Sequence, residues 1–378
     1  MRNDKLISLG VDKYIERIRN CEKIYNEIIN NIPDNYNNVI YRIDNLELFN
    51  KVMSNFVVAL DNNDAEGDLF EIYDVAIHLP TKSLIIANKG ATLYSLSEKF
   101  EIPHLVRHIG MCVYVPGIGM EYANVGIVGN VYDKAIVLRS ESACTPSFIF
   151  GSQRCNCHYQ WKNARELAAS FNSINVPNIT GGYEFEKWVQ KQYIYEDGKH
   201  IYCNDGEIGF VLLHVDSQNG MGSGYTPNEF VFELNERAAM RHRGEYTSEQ
   251  IYDATMNGGF RKIGISGDPR SENDFIGYKI TPIILDYLDV NKNVIMLTNN
   301  TSKTGQMEAF GYNVQRIKSI GAVNIAGSNE ARERGEEFHH LDINGDIISF
   351  NDDYERIRGE IEKIFSSGKI YTIRDNRK

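Results

Sequence analysis

Basic charge is in short supply in this chain: 40 Lys and Arg stand against 51 Asp and Glu, for a formal net charge of −11. Proteins that hold a nucleic-acid polymer present a basic surface to it, so no polymer partner is expected, and phosphate contacts must come from local clusters. Long apolar runs are missing too. None approaches the ~18 residues of a membrane span, and the opening M-R-N-D-K-L-I-S-L-G lacks the apolar core of a signal peptide. A cytoplasmic, reducing setting away from membranes is therefore expected. Cysteine is scarce, with six in 378 residues. Cys21, Cys112 and Cys203 are isolated and read as buried small hydrophobes, and a disulfide framework does not suit a reducing compartment. No internal repeat or low-complexity tract is evident, and a 42% hydrophobic chain of this length can bury a real core.

The three remaining cysteines, Cys144, Cys155 and Cys157, lie close together with the spacing C-x10-C-x-C. Three thiols give a tetrahedral zinc three soft ligands and leave one position open for water. A water bound there loses a proton near neutral pH and becomes a nucleophile. Taken alone, the spacing also admits a structural zinc or unligated core thiols. His158 beside Cys157 is expected to point away, because adjacent residues rarely reach one ion. Glu141 reads as surface charge.

Apolar spacing along the chain predicts a helix from the start to about residue 33, ending at Pro33, and a second from Asp44, as N-cap, to about Leu60. Residues 70–89 read as extended around Pro80, and 93–100 as helix. Three β-rich runs with glycine turns over 105–139 predict a small sheet that delivers Arg139 and the cysteines. A helix is expected over 161–171, then an irregular polar insertion over 172–207. Gly209–Val215 reads as a buried strand feeding the glycine-rich loop Q218-N-G-M-G-S-G224, a common way to bring backbone N–H groups onto phosphate. Residues 228–257 read as helical. A helix over 278–288, a strand over 294–297, a polar loop over 298–305 and an amphipathic helix over 352–365 complete a mixed α/β (α+β) chain.

Roughly residues 109 to 320 resemble the GTP cyclohydrolase II family, whose zinc enzymes open the imidazole ring of guanine at the head of riboflavin synthesis. Three motifs in order carry the resemblance. The first is Arg139-x4-Cys144-x6-Gly-Ser-x-Arg154-Cys155-x-Cys157-x2-Gln160; the second is the strand from Gly209 with Gln218-x-Gly220-x-Gly-x-Gly224; the third is Leu297-Thr298-Asn299-Asn300-x2-Lys303. The resemblance implies zinc on Cys144, Cys155 and Cys157, with a zinc-bound water attacking the base. It implies Arg139 on phosphates, Gln218, Asn219 and Gly220 on the substrate, and Thr298 and Lys303 closing on the nucleotide. Magnesium on the nucleotide phosphates and a homodimer are further implications. The domains expected on this basis are a mostly helical extension over 1–105, a zinc domain over 106–325 and a C-terminal helix and tail over 326–378.

Departures from the family fall where substrate and mechanism are defined. Asn219 and Met221 stand where the family's loop carries a base-reading Glu and a phosphate-holding Arg. Asn offers donor and acceptor without charge. Phe232 falls at the family's catalytic Tyr, with Tyr225 nearby as a substitute. Asp274-Phe-Ile276-Gly-Tyr278 keeps the family's acid and aromatic but has Ile in place of its Arg, unless Asp268-Pro-Arg270 fills that role. The expectation is a zinc cyclohydrolase acting on a purine nucleotide, with Asp274, Arg270 and Tyr225 as catalytic candidates, and ring opening uncoupled from pyrophosphate release. The alternatives are ring opening of a pyrimidine or modified nucleotide, and a non-catalytic nucleotide-binding homologue with structural zinc.

Overall fold

The structure is a computed structural model describing residues 19–56, 73–89, 91–116, 119–142, 156–191, 193–196, 200–203, 208–215, 274–299, 301–319 and 349–368. Twelve strands and seven helices are described, ten of the strands in a mixed parallel and antiparallel sheet, so the architecture is mixed α/β. No helix among the described residues is long and apolar enough to cross a membrane. Two compact units divide the chain: Met1–Lys89 with Gly110–Met120, and Gly90–Ile109 with Glu121–Lys378.

The first unit holds α1 (described over 19–30), β1 (Ile40–Arg42), α2 (Leu46–Phe56), β2 (Tyr73–His78), β3 (Ser83–Asn88) and the second half of β5 (Pro103–Val115). Its strands run antiparallel in the order β1-β2-β3-β5. The turn between β2 and β3 contains Pro80, which has no N–H to give a ladder. The apolar stripes of both helices close on Val75, Ile77, Leu84 and Ile86. Each of those side chains contributes roughly 1.5–3 kcal/mol by leaving water. α1 ends at residue 30, where Asn31 Nδ2 donates to Glu27 O at 2.8 Å, three residues short of Pro33; the earlier part of that expected helix lies outside the described residues. At α2 the cap is Asn45, not Asp44. Its Oδ1 accepts from Leu48 N at 2.9 Å, the three-residue reach that an N-cap requires.

The second unit holds β4 (Ala91–Leu96), the first half of β5, β6 (Gly119–Val128) from Glu121 onward, β7 (Ile136–Ser142), α3 (Asn156–Phe171), α4 (Gly182–Lys191), β8 (Tyr193–Glu196), β9 (His200–Cys203) and β10 (Gly209–Val215). It continues with α5 (Asp274–Tyr287), β11 (Asn293–Leu297), α6 (Thr301–Ala309), β12 (Asn313–Ile317) and α7 (Phe350–Ser366). The expected helix over 93–100 is instead strand β4, paired antiparallel with β5 from Ala91↔His108 to Leu96↔Pro103. Leu93, Leu96 and Phe100 mimic a helical stripe, but the ladder to β5 decides the local conformation, as tertiary pairing often does. The polar insertion contains α4 and a hairpin, β8 with β9, that pairs only with itself.

Four parallel strands form the heart of this unit in the order β10-β7-β11-β12, with β6 antiparallel beside β10. The near-continuous apolar runs of β10 and β11 are those of strands buried on both faces. On one face Val137, Phe210, Leu212, Ile295, Leu297 and Ile317 pack with Ala164, Leu167 and Ala168 of α3 and Tyr354, Ile357 and Ile361 of α7. Alternation turns the buried Ile136, Leu138, Val211 and Leu213 to the other face. α5 and α6 pack on one another, and the right-handed crossover usual for parallel strands assigns them to that second face.

Candidate functional site

The strand order sets the site. From β7 the chain goes to β10 on one side, then returns past β7 to β11 on the other. Open α/β sheets bind ligands in the crevice outside the carboxyl ends of strands at such a reversal. β7 and β11 pair as far as Met296↔Leu138, so the next residues, Arg139 and Leu297, meet at the carboxyl edge. Arg139 is buried, and its Nη1 donates to Leu297 O at 2.8 Å. A cleft of about 280 Å³, its open mouth included, lies here, lined by Arg139, Asn163 of α3, Leu297, Thr298 and Asn299. Ile317, Ser319 and Ile357 form its remaining wall. That wall is braced: Ser319 Oγ donates to Asp353 Oδ2 at 2.6 Å, and Asp353, fully buried, pairs with Arg356 at 2.8 Å.

Thr298 is 5% exposed, and its N–H donates to Ile317 O at 3.1 Å. Lys303, expected in a polar loop, stands in the first turn of α6. Its Nζ donates to Ser140 Oγ at 3.1 Å. Arg139 and Ser140 are consecutive in a strand, so their side chains leave on opposite faces. Arg139 therefore lies on the α3 and α7 side of β7, and Lys303 approaches the same strand end from the α6 side. Two cations flank one strand terminus, which linear spacing does not reveal.

Cys157 is the second residue of α3, and Asp274 the first of α5. Cys144, Cys155, Gln218, Asn219, Gly220, Tyr225 and Arg270 lie outside the described residues. So do Met221, Phe232 and the expected helix over 228–257. In the chain they belong to the connections that leave β7 after Ser142 and β10 after Val215 and enter α3 at Asn156 and α5 at Asp274. Among the described residues no three His, Cys, Asp or Glu side chains gather into a metal-binding group, and Cys157 alone of the expected ligands falls there. Three soft thiols are nonetheless a donor set that suits zinc, and Cys157 stands in the first turn of a 16-residue helix.

Two cleft residues were not anticipated in these roles. Asn163 is 2% exposed, and neither its Oδ1 nor its Nδ2 has a hydrogen-bond partner among the described residues; Asn299 is 5% exposed with its Oδ1 likewise unpaired. A buried unpaired amide carries the full desolvation penalty. The available signal was a polar residue between Ala164 and the apolar positions of α3. Farther along α3, Glu166 is also buried, but it is satisfied by Ser97 Oγ and by Lys99 N at 3.1 Å. Burial also pushes the His104 imidazole below its ordinary pKa, against an opposing pull from the Ile102 backbone and Glu166. The chain matches no known family model and no curated protein.

Proposed function

We propose that the protein is a zinc-dependent hydrolase of the GTP cyclohydrolase II type, which opens the base ring of a nucleotide. The observation that carries this reading is a juxtaposition. The three motifs, widely separated in sequence, begin on adjacent parallel strands: Arg139 on β7, Gly209 on β10 and Leu297 on β11. Arg139 and Leu297, 158 residues apart, are hydrogen-bonded there.

Cys144, Cys155 and Cys157 would hold the zinc, which when bound supplies a Lewis acid and lowers the pKa of a coordinated water. Arg139 and Lys303 bring positive charge to ligand oxygens from the two faces of β7, the guanidinium suited to a fork and the ammonium to a point contact. Asp274, the first residue of α5, would be the proton carrier.

The test is incubation of the zinc-loaded chain with purine, pyrimidine and modified nucleotides, followed by mass spectrometry for gain of water or loss of formate. Cys155→Ser is expected to lose both zinc and turnover. If every nucleotide returns unchanged, the enzyme reading falls. Ligands that raise the melting temperature without being consumed would mark a non-catalytic homologue instead. Turnover confined to pyrimidine or modified nucleotides would replace the purine reading by the alternative.

A further inference from the structure

We infer that Asn163, with Asn299, forms a recognition edge in the switch-point cleft that pairs with a neutral amide or amidine edge of the ligand, as a nucleobase presents. This rests on the nucleotide reading and names the part of the nucleotide that enters this cleft. Both polar atoms of Asn163 are unpaired among the described residues, so the carboxamide offers a donor and an acceptor however it is turned. The side chain lines the cleft and is 2% exposed. Beside it Asn299 adds a further unpaired acceptor, Oδ1, in a residue 5% exposed. Phosphate oxygens have lone pairs only and could accept from Asn163 Nδ2, but would leave both unpaired amide oxygens without a donor. A ligand edge with N–H beside C=O satisfies the amides in a cleft that Arg139 also lines. The walls fit as well, since Leu297, Ile317 and Ile357 give the flat face of a base apolar contact.

A residue kept for recognition and one kept for packing behave oppositely when made apolar. Replacing a buried, unpaired amide by an apolar group of similar shape is neutral or stabilising to the free protein. The experiment compares zinc-loaded full-length wild type, Asn163→Leu and Asn163→Ala. It measures melting temperature without ligand, and affinity by calorimetry for guanosine, uridine and inorganic tripolyphosphate. Asn163→Leu is expected to melt no lower than wild type and to bind the favoured nucleoside roughly tenfold to a hundredfold more weakly. Tripolyphosphate affinity is expected to stay unchanged. Asn163→Ala is expected to lose the same nucleoside affinity, so the test survives if the leucine variant folds poorly. Unchanged nucleoside affinity in either variant overturns the proposal, as does wild type that binds tripolyphosphate but neither nucleoside. Nucleoside binding that depends on Asn163 in a protein that turns nothing over would leave this inference standing and sink the cyclohydrolase reading.

Discussion

His104 lies on β5 with 5% of its surface exposed, and burial holds its imidazole below the ordinary value near 6.5. In the unfolded chain it takes a proton near pH 6.5, while in the folded chain it resists until the pH is lower. Between those two points the unfolded state binds more protons, so stability falls as the pH falls. The loss begins as pH drops through about 6.5 and cannot exceed about 1.4 kcal/mol per pH unit from one proton. Urea midpoints at neutral pH and near pH 5.5 should show a smaller drop for His104→Gln than for wild type. An equal drop would place the proton uptake elsewhere. Such a role is invisible in sequence, because nothing around His104 marks it as buried. The same limit applies at Asp44 and Asn45, two good caps side by side, where only the three-residue reach to Leu48 N selects Asn45.

Elements were most readable where burial is two-sided. Gly209–Val215 stands out because an apolar run bounded by breaks has one stable solution, a strand covered on both faces, and β10 has those limits. Its first residue explains the glycine: a Cβ on Gly209 would press on Asn130 O and stand 2.9 Å from Val131 Cγ1. Backbone cannot give way as a side chain tip can. Gly209→Ala should therefore lower stability by roughly 1–3 kcal/mol, as overpacking does, and urea denaturation would read it directly. A change within a few tenths would mean that the β6 to β7 connection yields. Elements were least readable where one pattern fits two periods. β4 shows a helical stripe yet pairs with β5, and the polar T298-N-N-T-S-K-T stretch hides the start of α6, which carries Lys303.

At the scale of the whole molecule, sequence reading supplied the motifs but not their meeting place. That Arg139, Thr298 and Lys303 surround one strand end follows from the order β10-β7-β11-β12, a long-range property that local spacing does not contain. The same topology puts α5 directly after the connection carrying Arg270, with Ile276 in its first turn. An isoleucine has no charge to stabilise a phosphoryl oxygen, whereas under the proposed function zinc held by Cys144, Cys155 and Cys157 would not depend on it. Under the proposed function, ring hydrolysis and phosphate cleavage should therefore separate in this chain. If a nucleoside triphosphate is turned over, its ring-opened product is expected to retain all three phosphates, followed by phosphorus NMR. Removing zinc with a chelator should stop ring opening, and zinc alone should restore it. Pyrophosphate released in step with ring opening would show that another residue supplies the missing cation, and its disappearance in Arg270→Ala would identify that residue.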